Sequence, residues 1–422
     1  MNAQNHNQTS CPKLSSTIFP ASLNVNKFFF TILFSLYLTL SLFSFILAIK
    51  VVTLIPVLLG LLALILLSTR IKREYVPIYI FMAFLAVSFL ISSLIVGRAG
   101  YNLYHPIFFI VSSPGIAMIL IRRYVYSWGG YVVFYSLAVY FFILMATNNS
   151  INVTLNSYNG ISIVMLVACI SLYIIMSMEN KKIDLKPALI TLVISIWGVG
   201  RSGIASSFVL LLGLLFVKLR PHRKYLYIAI IILFLSFFFT YWFFDDLYKL
   251  AMNFSIPRNA IDYNVQRWMR KESDARFTFW ANYFSNLDIS RLIFGVNVLE
   301  DPWPEGEINE YNYHNSFIHL HLQTGFMGVL TLVLLIFAVF KFYRTNKVFL
   351  ILLLTLILRS STDFFLFFSR FDFIPYFFIF YFLKSTNFAS LIKPLSAIID
   401  INQFKDYQQA KNDIHLRGNL KS

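Results

Sequence analysis

Three polar segments interrupt an otherwise apolar chain, and each contains residue types that could act on an anionic substrate. The first reads Gly200-Arg201-Ser202-Gly203. The glycines beside Arg201 let other groups approach the backbone closely. A guanidinium fixed there could bind a phosphate or pyrophosphate, or it could extend to lipid headgroups as an interfacial arginine. The residue alone leaves both interpretations open.

The same segment has a second chemical interpretation, because Gly-x-Ser-Gly is similar to the string found in rhomboid intramembrane proteases. There Ser202 would be a nucleophile. Such a serine needs a histidine on a neighbouring helix to take its proton. The four letters by themselves carry little specificity in a turn rich in glycine and serine.

The second segment, 245–313, contains basic residues at helical spacing. Arg267, Arg270 and Lys271 lie at positions i, i+3 and i+4, so they share one face of a predicted helix. Arg276 follows in the first turn of a second predicted helix. Such a cationic face suits a lipid-linked anionic substrate. The alternative is an amphipathic helix that rests on anionic lipids.

The third segment begins Tyr-His314-Asn315 and continues into an apolar run. On a helix, His314, Phe317 and His321 would share a face, whereas His319 would point about 140° away from His314. Histidine moves protons near neutral pH, so His314 is a candidate acid or base. A structural histidine at a helix start is the alternative. Zinc is poorly supported, because no acidic third ligand accompanies the two-turn spacing of His314 and His321.

A further polar spot separates the last two apolar runs. Arg359 and Asp363 stand at i and i+4, so they could pair and lessen the cost of burying a charge in a membrane. The pair could be structural or could contact a substrate. Arg370 and Asp372 follow and could mark the turn before the last helix.

The amino-acid composition indicates what kind of secondary structure holds these polar residues in place. Hydrophobic residues make up 58% of the 422 residues and charged residues only 13%. A soluble domain carries about 25% charged residues, so a soluble fold is excluded. Twelve apolar runs approach the length of a bilayer span and predict an all-α polytopic membrane protein. The runs are 28–48, 51–69, 76–96, 106–121, 128–146, 159–178, 187–200, 204–217, 225–244, 316–340, 348–362 and 364–383.

The net charge of +16 is explained by topology and not by nucleic acid. In the short loops, fifteen Lys and Arg fall on the side of the N-terminus and three fall on the other side. Basic loops stay cytoplasmic, so both termini are predicted to be cytoplasmic. The predicted order is a cytoplasmic tail (1–27), nine transmembrane helices (28–244), a large external loop containing amphipathic helices (245–313), three further helices (314–383) and a cytoplasmic tail (384–422).

Four motifs resemble those of the O-antigen polymerase and O-antigen ligase superfamily, both in their order along the chain and in their predicted position on the external side of the membrane. The motif His314-Asn315-x-Phe-Ile with Gly325-x-x-Gly328 resembles its His-Asn signature. Gly-Arg201-Ser-Gly resembles its Ser-Arg-Ser/Thr element. Asp274-Ala-Arg276-Phe and Leu292-Ile-Phe-Gly295 resemble stretches of its large periplasmic loop.

The resemblance implies a C-type glycosyltransferase that acts on undecaprenyl-pyrophosphate-linked glycans at the periplasmic face of the bacterial inner membrane. It implies metal-independent chemistry without a cofactor, in which Arg201 and Arg276 neutralise the pyrophosphate. His314 would take the acceptor proton or contact the pyrophosphate. The residues expected to bind substrate around them are Arg267, Arg270, Lys271, Asn315, His321 and Arg359.

Several related activities share this donor chemistry. An O-antigen polymerase joins lipid-linked repeat units, and the motif spacing favours it. The alternatives are an O-antigen ligase that transfers the glycan to lipid A-core, and a capsule or exopolysaccharide polymerase. Expected partners are membrane lipids, the lipid-linked donor and acceptor, a chain-length regulator and a flippase. A transporter is disfavoured, because internal repeats and midplane polar residues, typical of transporters, are missing from the sequence.

Overall fold

The computed structural model describes residues 25–47, 50–68, 72–98, 101–147, 159–198, 201–219, 280–297 and 315–386. Every regular element in these stretches is helical, which confirms the predicted all-α class. The α-helices are α1 (Val25–Leu47), α2 (Lys50–Ser68), α3 (Val76–Ile95), α4 (Tyr101–Ile121), α5 (Ser127–Ala146), α6 (Asn159–Met178), α7 (Lys186–Trp197), α8 (Arg201–Leu219), α9 (Ile289–Phe294), α10 (Ser316–Thr324), α11 (Phe326–Thr345), α12 (Lys347–Thr362) and α13 (Phe373–Ser385).

Seven helices in the described ranges are long and apolar enough to cross a bilayer, so the chain is a multi-pass membrane protein. They are Val25–Ile46, Arg73–Ile95, Leu103–Ile121, Ser127–Ala146, Gly160–Met178, Ser202–Leu219 and Phe326–Thr345. Shorter apolar helices accompany them. The predicted run at 225–244 lies outside the described residues, so the count of twelve spans stays a prediction.

Helix α6 forms the centre of the bundle. Its side chains are almost all buried, and it packs against α1, α5, α7, α8 and α12. Peripheral helices such as α3 and α11 instead leave apolar side chains exposed, for example Leu94 and Phe340. Soluble proteins rarely expose so much apolar surface, so these faces suit contact with lipid.

Two of the predicted apolar runs differ from the observed helices. The run at 316–340 is divided into α10 and α11 at Gly325, whose φ of 55° stops the right-handed helix. The run at 364–383 becomes helical only at Phe373. Before it, Phe367 and Phe368 both adopt a left-handed φ of 62° in a buried turn. Apolar periodicity alone did not reveal either break.

Polar contacts gather at the two opposite ends of the bundle. At the lysine end, Lys27 pairs with Glu179 at 2.8 Å, and the Asn346 amide donates to Ser177 Oγ at 3.2 Å. The arginine end contains Arg98, Arg359 and Arg370. Its contacts join the end of α3 to the end of α10, and the end of α12 to the starts of α8 and α10. The helices therefore alternate in direction between two polar layers.

Two glycines let α9 lie directly against α10 and α11. Gly295 has a φ of 74°, and a methyl group added to it would overlap the Leu322 carbonyl oxygen. A methyl group on Gly325 would overlap the Ile293 carbonyl oxygen in the same way. Both positions therefore need glycine for conformation and for space.

We expect Gly295→Ala to destabilise the protein more than Gly97→Ala does. Gly97 also has a positive φ, of 68°, but a methyl group there would meet nothing within 4 Å. Each variant carries a conformational cost of roughly 1–2 kcal/mol, and overlap adds about 1–3 kcal/mol at Gly295 only. Thermal unfolding of the purified protein measures the difference. Equal losses in the two variants would show that α9 does not press on α10.

Candidate functional site

The Arg359 side chain lies at the centre of the arginine end. It is fully buried, and its Nη1 donates to Ser202 Oγ at 2.7 Å. The same nitrogen lies 3.0 Å from Asp363 Oδ2, so the predicted i,i+4 pair is confirmed. These contacts let Arg359 position the start of α8 against the end of α12. Its expected contact with substrate stays a prediction.

The first turn of α8 is held by that contact and by a close approach to α6. Arg201 is the first residue of α8, and its side chain lies outside the described part of the structure. A methyl group on Gly203 would overlap Ser162 Oγ, so only glycine permits this approach. Helix α8 thus starts at Arg201, directly beside the Arg359–Asp363 pair.

The start of α10 lies against the same pair. Asn315 is its N-cap, because Oδ1 accepts from the backbone N–H groups of Phe317 and Ile318 at 2.9 and 3.2 Å. Asn315 Nδ2 also donates to the Ser361 carbonyl at 3.2 Å. Ser316 Oγ donates to the Asp363 carbonyl at 2.8 Å. These bonds fix the first turn of α10 on the end of α12.

The structure therefore brings together three of the predicted site positions, Arg201, Asn315 and Arg359. His314 lies outside the described residues, as do Arg267, Arg270, Lys271 and Arg276. Their contacts stay predictions. His314 is nevertheless bonded covalently to Asn315, whose side chain is anchored at both oxygen and nitrogen.

His321, in α10, is buried against α9 and residues 280–285. Its Nε2 lies 3.0 Å from the Leu292 carbonyl oxygen, and the Tyr283 hydroxyl bonds to its Nδ1. Burial lowers the pKa of His321, and the bond to Leu292 opposes that shift. We assign the neutral tautomer that donates from Nε2 and accepts at Nδ1. Both nitrogens are thus engaged within the protein, while His321 also lines the groove beside the start of α10, so its expected contact with substrate stays a prediction.

Arg98 is a buried residue beside the site that the sequence reasoning did not select. It is 6% exposed, and it donates to the carbonyls of Leu322, Gln323 and Val296. Burial lowers the pKa of Arg98 to about 10, so it stays charged at neutral pH. It caps the end of α10 inside the protein. Its only sequence signal was its place, just after Gly97 at the end of an apolar run.

The His319 side chain packs against the turn that follows α12. Its ring lies 4.1 Å from the Phe364 ring and 5.9 Å from the Phe368 ring, centre to centre. Substitution of His319 therefore disturbs the contact between α10 and the turn that follows α12.

A groove of about 290 Å³ opens beside the start of α10. Asn315 lies at its polar edge, Trp280 and Phe317 supply aromatic walls, and Val329 and Leu332 of α11 supply an apolar wall. A volume of this order suits part of a small-molecule ligand.

Two alternative chemistries can be compared with this geometry. Ser202 accepts a hydrogen bond from Arg359, which cannot act as a base because a guanidinium stays protonated. The serine-protease interpretation therefore finds no support at Ser202. No group of three His, Cys, Asp or Glu suited to a metal ion occurs among the described residues.

The chain matches no protein-family profile, no curated protein and no solved structure.

We expect Asp363→Asn to destabilise the protein by roughly 3 kcal/mol, because it leaves the buried Arg359 without its counter-ion. Asp288→Asn is the matched control. Asp288 is an exposed N-cap of α9, and asparagine caps a helix equally well. Thermal unfolding compares the two. An Asp363→Asn variant as stable as the control would contradict a structural role for the pair.

His319 should make the protein sensitive to mild acid. Burial lowers the pKa of His319 to about 3, and the charges of Arg98 and His105 act in the same direction. The unfolded chain binds the proton near pH 6.5, so this stability is complete above that pH and is lost as the pH falls towards 3. His319 keeps some surface exposure, so the loss at pH 5 is at most about 2 kcal/mol.

The measurement is the difference in unfolding free energy between pH 7.5 and pH 5 for wild type and for His319→Gln. We expect the difference to shrink in the variant, because glutamine does not titrate. The same pH dependence in both proteins would exclude His319 as its source.

Proposed function

We propose that this chain is a membrane glycosyltransferase that joins undecaprenyl-pyrophosphate-linked oligosaccharide repeat units. In this proposal it is a polymerase of O-antigen or a similar surface polysaccharide, at the periplasmic face of the bacterial inner membrane. The observation that carries the proposal is the meeting of the Arg201 and Asn315 helix starts at the Arg359–Asp363 pair.

This meeting supports the resemblance because the two motifs are more than one hundred residues apart in the chain. If the two short motifs matched the family only by chance, nothing would require them to be neighbours in the folded protein. Here Ser202 follows Arg201 and contacts Arg359, whereas Asn315 follows His314 and contacts Ser361. One turn of α12 links both motifs.

The electrostatics of the helix starts suit a pyrophosphate. The N-termini of α8 and α10 both point at the end of α12, and each helix start carries partial positive charge. Arg201 adds a full positive charge at the first position of α8. Asp363 is already engaged by Arg359, which limits its repulsion of an anion.

The proposed reaction moves a glycan from one lipid carrier to another. The bond between sugar C1 and the pyrophosphate oxygen breaks, and C1 bonds to an acceptor hydroxyl oxygen. His314 takes the hydroxyl proton or, alternatively, contacts the pyrophosphate. Arg201 and Arg276 neutralise the charge that develops on the leaving undecaprenyl pyrophosphate, each contributing about 3 kcal/mol if well placed.

The groove beside Asn315 supports a substrate with an apolar chain. It passes from a polar edge to the apolar face of α11, which is one of the seven candidate spans. A lipid-linked substrate needs this combination, because its pyrophosphate and its isoprenoid tail demand opposite surroundings.

The proposal assigns the arginine end to the periplasm and the lysine end, with both termini, to the cytoplasm. The asymmetry of basic residues in the short loops supports this orientation. A flippase would then deliver the lipid-linked units, and a chain-length regulator would limit their polymerisation.

A deletion strain distinguishes the polymerase from the ligase through its lipopolysaccharide ladder. A polymerase deletion leaves core with one repeat unit. A ligase deletion leaves bare core and accumulated lipid-linked polymer. We expect the first pattern, and the second would replace the polymerase proposal with the ligase one.

In the complemented deletion strain, we expect Arg201→Ala and Arg276→Ala to abolish the ladder at normal protein levels. The lysine variants should restore it only in part, because an ammonium cannot form the bidentate bond of a guanidinium to phosphate. Arg344→Ala, an exposed change at the lysine end, is the control and should keep the ladder. A full ladder in Arg201→Ala would leave Arg201 as an interfacial residue only.

A further inference from the structure

A cavity of about 540 Å³ opens at the lysine end, at the opposite end of the bundle from the candidate site. Its walls come from the end of α6, the turn after it, the end of α8 and the start of α12. Lys181, Lys182 and Lys218 line it. Three cations around one concave space are costly unless an anion or water separates them, because like charges repel.

The carboxylates near this cavity are occupied by other groups. Glu179 pairs with Lys27 at 2.8 Å, accepts from the Ser127 backbone N–H at 3.0 Å and lies 3.4 Å from Lys181. Asp184 accepts from the Lys186 backbone N–H at 3.0 Å. Among the described residues, no carboxylate lies within ion-pair distance of Lys182 or Lys218.

The start of α12 adds neutral donors to the same cavity. Asn346 is its N-cap and accepts from the Phe349 backbone N–H at 3.1 Å. The remaining amides of a first helical turn have no acceptor within the helix, and they favour an anion. Val348, in that turn, lines the cavity, as do the side chains of Asn180 and Ser177.

The apolar part of the lining indicates where the anion comes from. Tyr173, Met176, Ile183 and Val348 lie beside the lysines. The adjacent outer face of α8 is apolar, and Phe216 is 44% exposed. A phosphate group joined to an apolar tail would satisfy both parts, and basic pockets between transmembrane helices suit lipid headgroups.

We propose that this cavity binds a phosphate group, supplied by the headgroup of an anionic phospholipid. The site is separate from the proposed transferase site, and it requires only that the chain spans a membrane. Lys182 and Lys218 supply the charge, and the start of α12 supplies backbone donors.

The test measures binding of phosphatidylglycerol to the full-length protein in neutral phosphatidylcholine nanodiscs. We expect saturable binding that Lys182→Gln/Lys218→Gln weakens by roughly tenfold, since two charge-assisted contacts are lost. The control is Lys72→Gln/Arg344→Gln, which removes the same charge from exposed positions at the same end. It should change the affinity less than about twofold.

Competition with inorganic phosphate separates the two sources of the ligand. Displacement of the lipid only at a large excess of phosphate supports a lipid headgroup. Displacement at equal concentration would contradict the lipid source and leave a soluble phosphate as the ligand. Equal weakening in both double variants, or binding that does not saturate, would overturn the site. All variants change exposed side chains, so thermal unfolding should confirm an unchanged fold.

Discussion

A short helix that ends inside the protein sets the main constraint on this structure. The last carbonyl groups of α10 have no partners within the helix, and a buried carbonyl without a donor is costly. Arg98 provides the donors, reaching Leu322 and Gln323 from the end of α3. The same guanidinium bonds to Val296 at 3.1 Å, so one buried cation joins α3, α10 and the segment after α9.

The opposite end of α10 is fixed just as firmly, and this end carries the candidate chemistry. Asn315 and Ser316 bond to the end of α12, where Arg359 also holds the start of α8. With both ends held, α10 cannot slide along its axis without breaking several buried hydrogen bonds. The proposed catalytic residues therefore depend on two arginines, Arg98 and Arg359, that need not touch substrate.

The sequence predicted the features that depend on local pattern. Apolar runs located the helices, and i,i+4 spacing revealed the pair of Arg359 with Asp363. The helix break at Gly325 was not predicted, because the residues on both sides of it form one continuous apolar run. The contact of Arg359 with Ser202 joins distant parts of the chain, which a local pattern cannot show. Arg98 is one of the three basic residues in the loops on the far side from the N-terminus, and the rule for loop charges does not distinguish a solvated arginine from a buried one.

We propose that the arginine end transfers a glycan between lipid carriers, with His314 in the site. The direct measurement reconstitutes the purified protein in liposomes with undecaprenyl-pyrophosphate-linked repeat units and a metal chelator. We predict a ladder of longer lipid-linked glycans, equimolar release of undecaprenyl pyrophosphate, and loss of both in His314→Ala. No elongation by the folded wild-type protein, or an unchanged ladder in His314→Ala, would contradict this proposal.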